Sequence, residues 1–551
     1  MKAPEEHRIW WKHGVIYHIY PRSFQDSNGD GIGDIRGIIR RIGYLKELGI
    51  DGIWISPMYQ SPMVDFGYDV SDYRSIDPVF GTMEEFTELL KVAHESGIRV
   101  ILDVVLNHTS DRHPWFIASS SSVTNPKRKW YIWKEGIAGS PPNNWKSAAG
   151  GSAWTFDEKT KQFYLHSFFR EQPDLNWRND EVQEAVFEEM KFWLDLGVDG
   201  FRLDVINLVV KDKKFRNNPA FLGIHAFQKH VYTRNRKRSI TLVTRIRQLL
   251  DRYDSRVSIG EIYAPPPGDP RNAARYQAKG HNGLHLTFDF SLIFTRWNAH
   301  AYFRCIRNWY ECIPAGGWPC HVQSNHDLLR NIDRLPWRTY REQKAKVAAT
   351  LLLTLKGTPF IYYGEEIGMH NARIPRSRIQ DPLGKRYWPL FAGRDQARTP
   401  MQWTGDPGGG FTEGEPWLPL SKDTASRNVR RQEGASKDVQ PAGTQLRSGG
   451  LFNPPEPGRV QLFSEDEDRG FRGHDLQGYG ITYVDDFTGQ SRNCRIRNRR
   501  IRICRHRDRF PNVRRRSGNG TGVLCPIQGR GWPTIRRSWL FSGESHRSAS
   551  G

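Results

Sequence analysis

Three short apolar stretches each run into an acidic residue where a strand would give way to a loop. Val198 to Leu203 leads to Asp204, Val257 to Gly260 leads to Glu261, and Trp318 to Ser324 is followed by Asn325-His326-Asp327. A barrel of parallel strands gathers its chemistry at the carboxyl ends of those strands. Any one charged strand tip is equally well explained as an ordinary surface residue. Three together point to a shared site, and three carboxyl groups on one barrel face are equipment for breaking a glycosidic bond. One serves as nucleophile, one as acid and base, and one steadies the charged sugar.

The rest of the chain alternates as such a barrel requires. Val15 to Tyr20 is a strand candidate, and Asp34 to Leu48 carries Ile35, Ile38, Ile42, Leu45 and Leu48 at helical spacing before Gly49. Ile53-Trp54-Ile55 is the next strand, and Met83 to Ala93 the next helix, capped by Thr82. A third strand is expected over Val100 to Leu106. The alternation then breaks at 109–176, which is rich in Trp, Ser, Asn, Gly and Pro and lacks long periodicity. It resumes with a helix over Glu181 to Leu196 and strands at 199–204, 257–262, 284–290, 318–324 and 359–363. The fold class expected is α/β, an eight-stranded (β/α)₈ barrel. Its first part spans 1–108, a small inserted domain 109–176, its second part 177–437, and an atypical tail 438–551.

Composition narrows the classes. With 551 residues, 37% hydrophobic and 12% aromatic, the chain is globular and large enough for two or three domains. No leader pattern opens it and no run of about 18 apolar residues occurs, so no membrane association is expected. Six cysteines at 305, 312, 320, 494, 504 and 525 show neither metal-ligand nor framework spacing, as expected of reduced thiols in a cytoplasmic protein. The net charge of +21 would ordinarily raise nucleic acid as a partner. Residues 421–551 hold 25 Lys+Arg against 13 Asp+Glu, or +12, which leaves +9 for the other 420. The basicity belongs to the tail, and no nucleic-acid partner is expected. The partner expected is a small-molecule substrate, bound by a monomer without an organic cofactor.

Six motifs in order then carry a family resemblance. They are Asp103-Val104-Val105-Leu106-Asn107-His108, Gln172-Pro173-Asp174-Leu175-Asn176-Trp177, Gly200 to Val205, Gly260-Glu261-Ile262-Tyr263, Asn325-His326-Asp327, and Gly393 to Trp403. From about residue 10 to about 430 the chain resembles the α-glucosidase and oligo-1,6-glucosidase branch of the α-amylase superfamily, glycoside hydrolase family 13. The resemblance implies a retaining mechanism with Asp204 as nucleophile, Glu261 as acid and base, and Asp327 binding sugar hydroxyls. Arg202, two residues before Asp204 and so on the same side of the strand, is expected to keep Asp204 ionised. His108 and His326 resemble the histidines that bond the terminal glucose. Tyr68 and Asp69 resemble the platform and carboxylate that close the pocket in exo-acting members. Phe168, Gln172 and Arg394 resemble pocket-wall residues. Val205 matches relatives that prefer α-1,6 over α-1,4 links. Trehalose-6-phosphate hydrolase and glucosyl-transferring relatives (sucrose isomerase, trehalose synthase) share the signature and stay open as alternatives.

Two regions stand apart. Asp26, Asn28, Asp30, Ile32 and Asp34 place oxygen donors at alternate positions around Gly29 and Gly31, a pattern suited to a hard cation. An Asx-bonded turn is the alternative. Family relatives bind Ca²⁺ or Mg²⁺ in this loop, so a structural Ca²⁺ or Mg²⁺ is expected. Beyond about Lys437 neither an eighth-helix continuation nor strand alternation is found, and Ser491 to the end holds sixteen arginines and no lysine. That composition suggests a shifted reading frame, which makes an inactive product of a damaged gene an alternative of another class.

Overall fold

The computed structural model describes residues 9–221, 224–262, 269–335 and 339–438, with 459–461 and 482–484. Eight parallel strands form the frame: β1 (Ile16–Ile19), β2 (Gly52–Ile55), β3 (Arg99–Val105), β4 (Gly200–Asp204), β5 (Val257–Glu261), β6 (Leu286–Phe288), β7 (Cys320–Val322) and β8 (Thr358–Tyr362). They are hydrogen-bonded in the order β6-β5-β4-β3-β2-β1-β8-β7. The sheet is thus a barrel with one unladdered seam, which Cys320 Sγ crosses to Thr287 O at 3.1 Å. Each strand is bounded within a few residues of its sequence expectation. The common error was length: 284–290 and 318–324 yield strands of only three residues.

Period-two alternation explains why the barrel is both a core and a site. Ile16, Ile101, Ile259, Leu286, Val322 and Phe360 fill the interior together. Two residues further along β3, β4 and β5, the same inward positions carry Asp103, Arg202 with Asp204, and Glu261. The outward positions, such as Tyr17, Ile53, Val100, Phe201 and Leu203, pack with the surrounding helices, so both faces of the sheet are buried. Gly200 is needed where β4 meets β5, since a Cβ there would lie 2.2 Å from Val257 O.

The helices follow their strands: α1 (Ile35–Leu48), α2 (Met83–Glu95), α3 (Asp180–Leu196), α4 (Lys237–Leu250), α5 (Pro270–Tyr276), α6 (Ala299–Cys312), α7 (Arg341–Thr354) and α8 (Val429–Asp438). Asp34 caps α1 by accepting Gly37 N–H, and left-handed Gly49 ends it. Thr82 and Glu85 form a full capping box on α2.

Residues 109–176 leave the carboxyl end of β3. They hold a helix (Pro114–Ser121) and a three-stranded antiparallel sheet of Trp133–Lys134, Gln162–Leu165 and Trp154–Asp157. Ile132, Trp145, Ala153, Trp154, Phe163 and Leu165 make a small core there. Two hairpins escaped the sequence reading: Tyr59–Gln60 with Asp72–Ile76, and Ala220–Phe221 with Ile224–Gln228. Each pairs a two-residue strand, too short to show alternation, with a five-residue one. In the tail, Arg459–Gln461 pairs antiparallel with Thr482–Val484. Strand structure there was not anticipated, although Thr482-Tyr483-Val484 is β-branched and aromatic. The remaining tail, including the arginine-rich stretch from 492 to 516 and Cys494, Cys504 and Cys525, lies outside the described residues. Among the described residues no helix is long and apolar enough to cross a membrane.

An internal cation ties the excursion to the barrel. Lys211, in the loop after β4, is 4% exposed and places Nζ 2.7 Å from Asp174 Oδ2 and 2.5 Å from Asn107 Oδ1. Asp174 also accepts from Asn107 Nδ2 and from the Ser167 amide and hydroxyl. Removing the ammonium would strand a buried carboxylate. Lys211→Met is expected to cost about 3–5 kcal/mol of unfolding free energy, the usual penalty for breaking a buried ion pair from one side. Urea titration checks this, and a loss below about 1 kcal/mol would show the pair to be dispensable.

Candidate active site at the carboxyl ends of the strands

Arg202 stands at the centre, 1% exposed. Its Nη1 lies 2.8 Å from Asp204 Oδ1 on the same strand, and 2.8 and 3.0 Å from the two oxygens of Asp103 on β3. Its Nη2 lies 2.6 Å from Glu261 Oε2 on β5. Trp54 on β2 lies under the guanidinium at 5.0 Å and gives its indole N–H to Asp103. The parallel register that pairs Val105 with Asp204 and Leu203 with Gly260 brings these groups level.

One positive charge thus serves three buried carboxyl groups. Burial pushes Asp204 well above the usual carboxylate range, with Arg202 opposing and Glu261 and Asp103 adding to the rise. Burial likewise raises Glu261, again against Arg202. Arg202 thus acts on Asp204 in the expected direction, favouring the ionised form, but its guanidinium is divided among three acids and burial opposes it. The three acids therefore titrate as one coupled group, not as separate carboxyls.

Asp327 is the contrast. Burial would raise it, but His326, Arg394 and Arg398 outweigh burial and hold it well below the usual range. Its Oδ1 lies 3.2 Å from Arg394 Nη1 and 3.0 Å from Arg398 Nη2. The same pocket thus raises two of its acids and lowers the third.

The walls follow from loops after β2, β3, β7 and β8. Tyr68 gives its hydroxyl to Asp103 at 2.9 Å and stacks on His326 with ring centroids 5.3 Å apart. Burial lowers His326 to about 3 and His108 to about 4, so both are neutral at physiological pH. His108 contacts Tyr68 O and Gln172, each at 3.1 Å, and the Phe168 ring lies 5.3 Å from it. Arg394 is held by Asp381 through its backbone N–H, Nε and Nη2.

Asp69 is placed differently from expectation. Its two carboxyl oxygens accept the Val64 and Asp65 amides, and it is fully buried within the loop. The carboxylate that meets Arg394 is Asp65, at 2.7 Å. The 65–69 turn gives the two acids different partners, which spacing from Tyr68 could not reveal. Asp103, Asp65, Asp381 and Arg398 are the other site residues the sequence reading did not single out. Asp103 and Arg398 lay inside quoted motifs, and Asp103 was legible as the inward position two beyond Ile101.

The oxygen-rich loop is close-bonded. Asp26 accepts Asn28, Gly29 and Gly31 N–H groups and the Thr412 hydroxyl. Asp30 accepts Ile32 N–H, and Asp34 accepts Ser27 and Gly37 N–H. Gly29 and Gly31 take φ of 83° and 85°, which lets the chain wrap tightly. The donor chemistry, carboxylates with an amide oxygen, fits a hard cation. Among the described residues no group of three or more His, Cys, Asp or Glu stands together as an ion site.

With this geometry in place, comparison with known proteins is direct. Residues 18–446 match the family model described as alpha amylase, catalytic domain. The chain is 44% identical over 455 residues to a probable alpha-glucosidase of Rhizobium meliloti, covering 79% of this chain and 81% of that one. It is 42% identical over 454 residues to an oligo-1,6-glucosidase of Parageobacillus thermoglucosidasius, covering 77% and 80%. The crystal structure of an alpha-glucosyl transfer enzyme superposes with a TM-score of 0.76 at 39% identity, covering 83% of this chain and 87% of that one. The chain belongs to the α-amylase catalytic-domain family of glycoside hydrolases.

Proposed function

We propose that the protein is a retaining, exo-acting α-glucosidase that removes terminal glucose from short α-glucosides, with α-1,6 links preferred over α-1,4. The observation that carries this reading is the single Arg202 guanidinium holding Asp204 and Glu261 on its two neighbouring nitrogens. Retaining chemistry requires two carboxyl groups about 5–5.5 Å apart, one on each side of the reacting carbon.

Asp204 Oδ attacks the anomeric carbon while the bond from that carbon to the leaving oxygen breaks. Glu261 gives its proton to that oxygen, and the leaving sugar departs. The ionised Glu261 then takes a proton from water, the water oxygen attacks the anomeric carbon, and the ester to Asp204 is released. Asp327, held ionised by two arginines, binds hydroxyls of the sugar as its ring flattens. His108 and His326, neutral and buried, bond the terminal glucose. Tyr68 forms its platform, with Phe168, Gln172 and Arg202 at the walls. Arg394 paired to Asp65 closes the far end, which favours action on chain termini.

A second reading, transfer of glucose to a sugar in place of water, is favoured by the likeness to an alpha-glucosyl transfer enzyme. It uses the same first step, and products from isomaltose, maltose, sucrose, trehalose and trehalose-6-phosphate separate it from hydrolysis. Turnover in that assay would also eliminate the inactive-product alternative. The described Cys305, Cys312 and Cys320 are free thiols, which supports a cytoplasmic location, and a monomer is proposed.

The loop from Asp26 to Asp34 would hold Ca²⁺, or Mg²⁺, through Asp26, Asn28, Asp30, the Ile32 carbonyl and Asp34. The ion would add structural strength to the loop that precedes α1. Calorimetric titration of chelator-treated protein should show one Ca²⁺ bound and a rise in Tm on its addition. Absence of both would mark the loop as a self-sufficient Asx-bonded turn.

Asp204→Asn should abolish turnover, by at least about 10⁴-fold, with Tm nearly unchanged, since an amide cannot form the glycosyl ester. Glu261→Ala should recover glucosyl transfer from activated substrates when azide replaces the lost base. Substantial hydrolysis by Asp204→Asn would remove the nucleophile from this reading. Val205→Thr should raise the ratio of kcat/KM for maltose over isomaltose. One methyl-scale contact is worth about 1–3 kcal/mol, so the preference tilts by roughly 10- to 200-fold at most. An unchanged ratio would leave no basis for the α-1,6 preference.

A further inference from the structure

β4 ends at Asp204, and the next residue, Val205, takes φ of 34°. A β-branched residue with positive φ is a steric outlier, and such outliers persist only where their surroundings hold them. The partner that holds this one stands on the neighbouring strand. Parallel register sets Leu203 opposite Gly260, so Glu261 lies beside the point where β4 turns away. There the Val205 N–H donates to Glu261 Oε2 at 3.1 Å. The same oxygen receives Arg202 Nη2 at 2.6 Å. Val205 is 5% exposed, so its N–H has no bulk water to turn to. The charged groups acting on Glu261 are Arg202, Asp103, Asp204 and Asp327, from β3, β4 and the loop after β7. The amide is the neutral donor among them.

We propose that the main-chain N–H of Val205 is a positioning device for Glu261: the strained turn after the nucleophile aims a fixed donor at the acid–base carboxylate. The inference rests on the reading of Glu261 as acid and base. An N–H bonds an ionised carboxylate more strongly than a protonated one. The contact therefore strengthens when Glu261 has given up its proton, and it holds the oxygens in place for the water step. It also works against burial, which raises Glu261. The role belongs to the backbone, and it is separate from any effect of the Val205 side chain on linkage preference.

The direct test replaces the Val205 amide with an ester, by incorporating the α-hydroxy analogue of valine, and compares pH profiles of kcat/KM on isomaltose. Glu261 must be protonated in the first step, so its ionisation sets the alkaline limb. Loss of one hydrogen bond to the charged form should move that limb upward by about one pH unit. An ester variant with an unmoved limb would overturn the proposal. If the ester variant does not fold, the Val205 amide proton in ¹⁵N-valine-labelled enzyme gives the answer. Its shift should titrate with the midpoint of the alkaline limb and become flat in Glu261→Gln; a flat shift in the parent enzyme would overturn the proposal. Full hydrolytic activity of Glu261→Gln would instead overturn the assignment of Glu261 on which the inference stands.

Discussion

The sharing of one guanidinium among three carboxyl groups is the constraint from which the site follows. Arg202 touches Asp103 on β3, Asp204 on its own strand β4 and Glu261 on β5. A buried arginine is tolerable only when its charge is met and its donors are used. Here the cation needs the acids, and the acids need the cation, so the polar end of the barrel is fixed by mutual requirement. One positive charge against three acids also leaves burial and mutual repulsion to raise Asp204 and Glu261.

The barrel makes this arrangement affordable in steric terms because its inward rows change character along their length. Ile101 precedes Asp103 and Ile259 precedes Glu261, so each strand contributes core before it contributes chemistry. The excursion at 109–176 is fastened to the same end by Lys211 and Asp174, while Phe168 reaches back to His108. Asp327 is held by a separate pair of arginines from the loop after β8, while its charge still raises Glu261.

Much of this was legible in the sequence because strand period and acid position coincide. Asp204, Glu261 and Asp327 announced themselves at the ends of apolar runs, and Arg202 by its place two residues before Asp204. What escaped were consequences of tertiary proximity. Asp65 and Asp69 are four residues apart, and only the turn between them decides which meets Arg394. The ionisation of Asp204 looked settled by one arginine until Asp103 and Glu261 were found on the same cation. Strands of two residues, as in Tyr59–Gln60, are too short for alternation to register. The strained φ of Val205 leaves no trace in a residue type that ordinarily avoids it.

The central claim is that Asp204 and Glu261, clamped by Arg202, act from opposite sides of one anomeric carbon with a covalent intermediate between. Time-resolved ¹H NMR of the glucose first released from an α-glucoside tests it most directly, before mutarotation mixes the anomers. The account predicts α-glucose as the initial product. Initial release of β-glucose would contradict it, because inversion requires Asp204 to activate water instead of bonding the sugar.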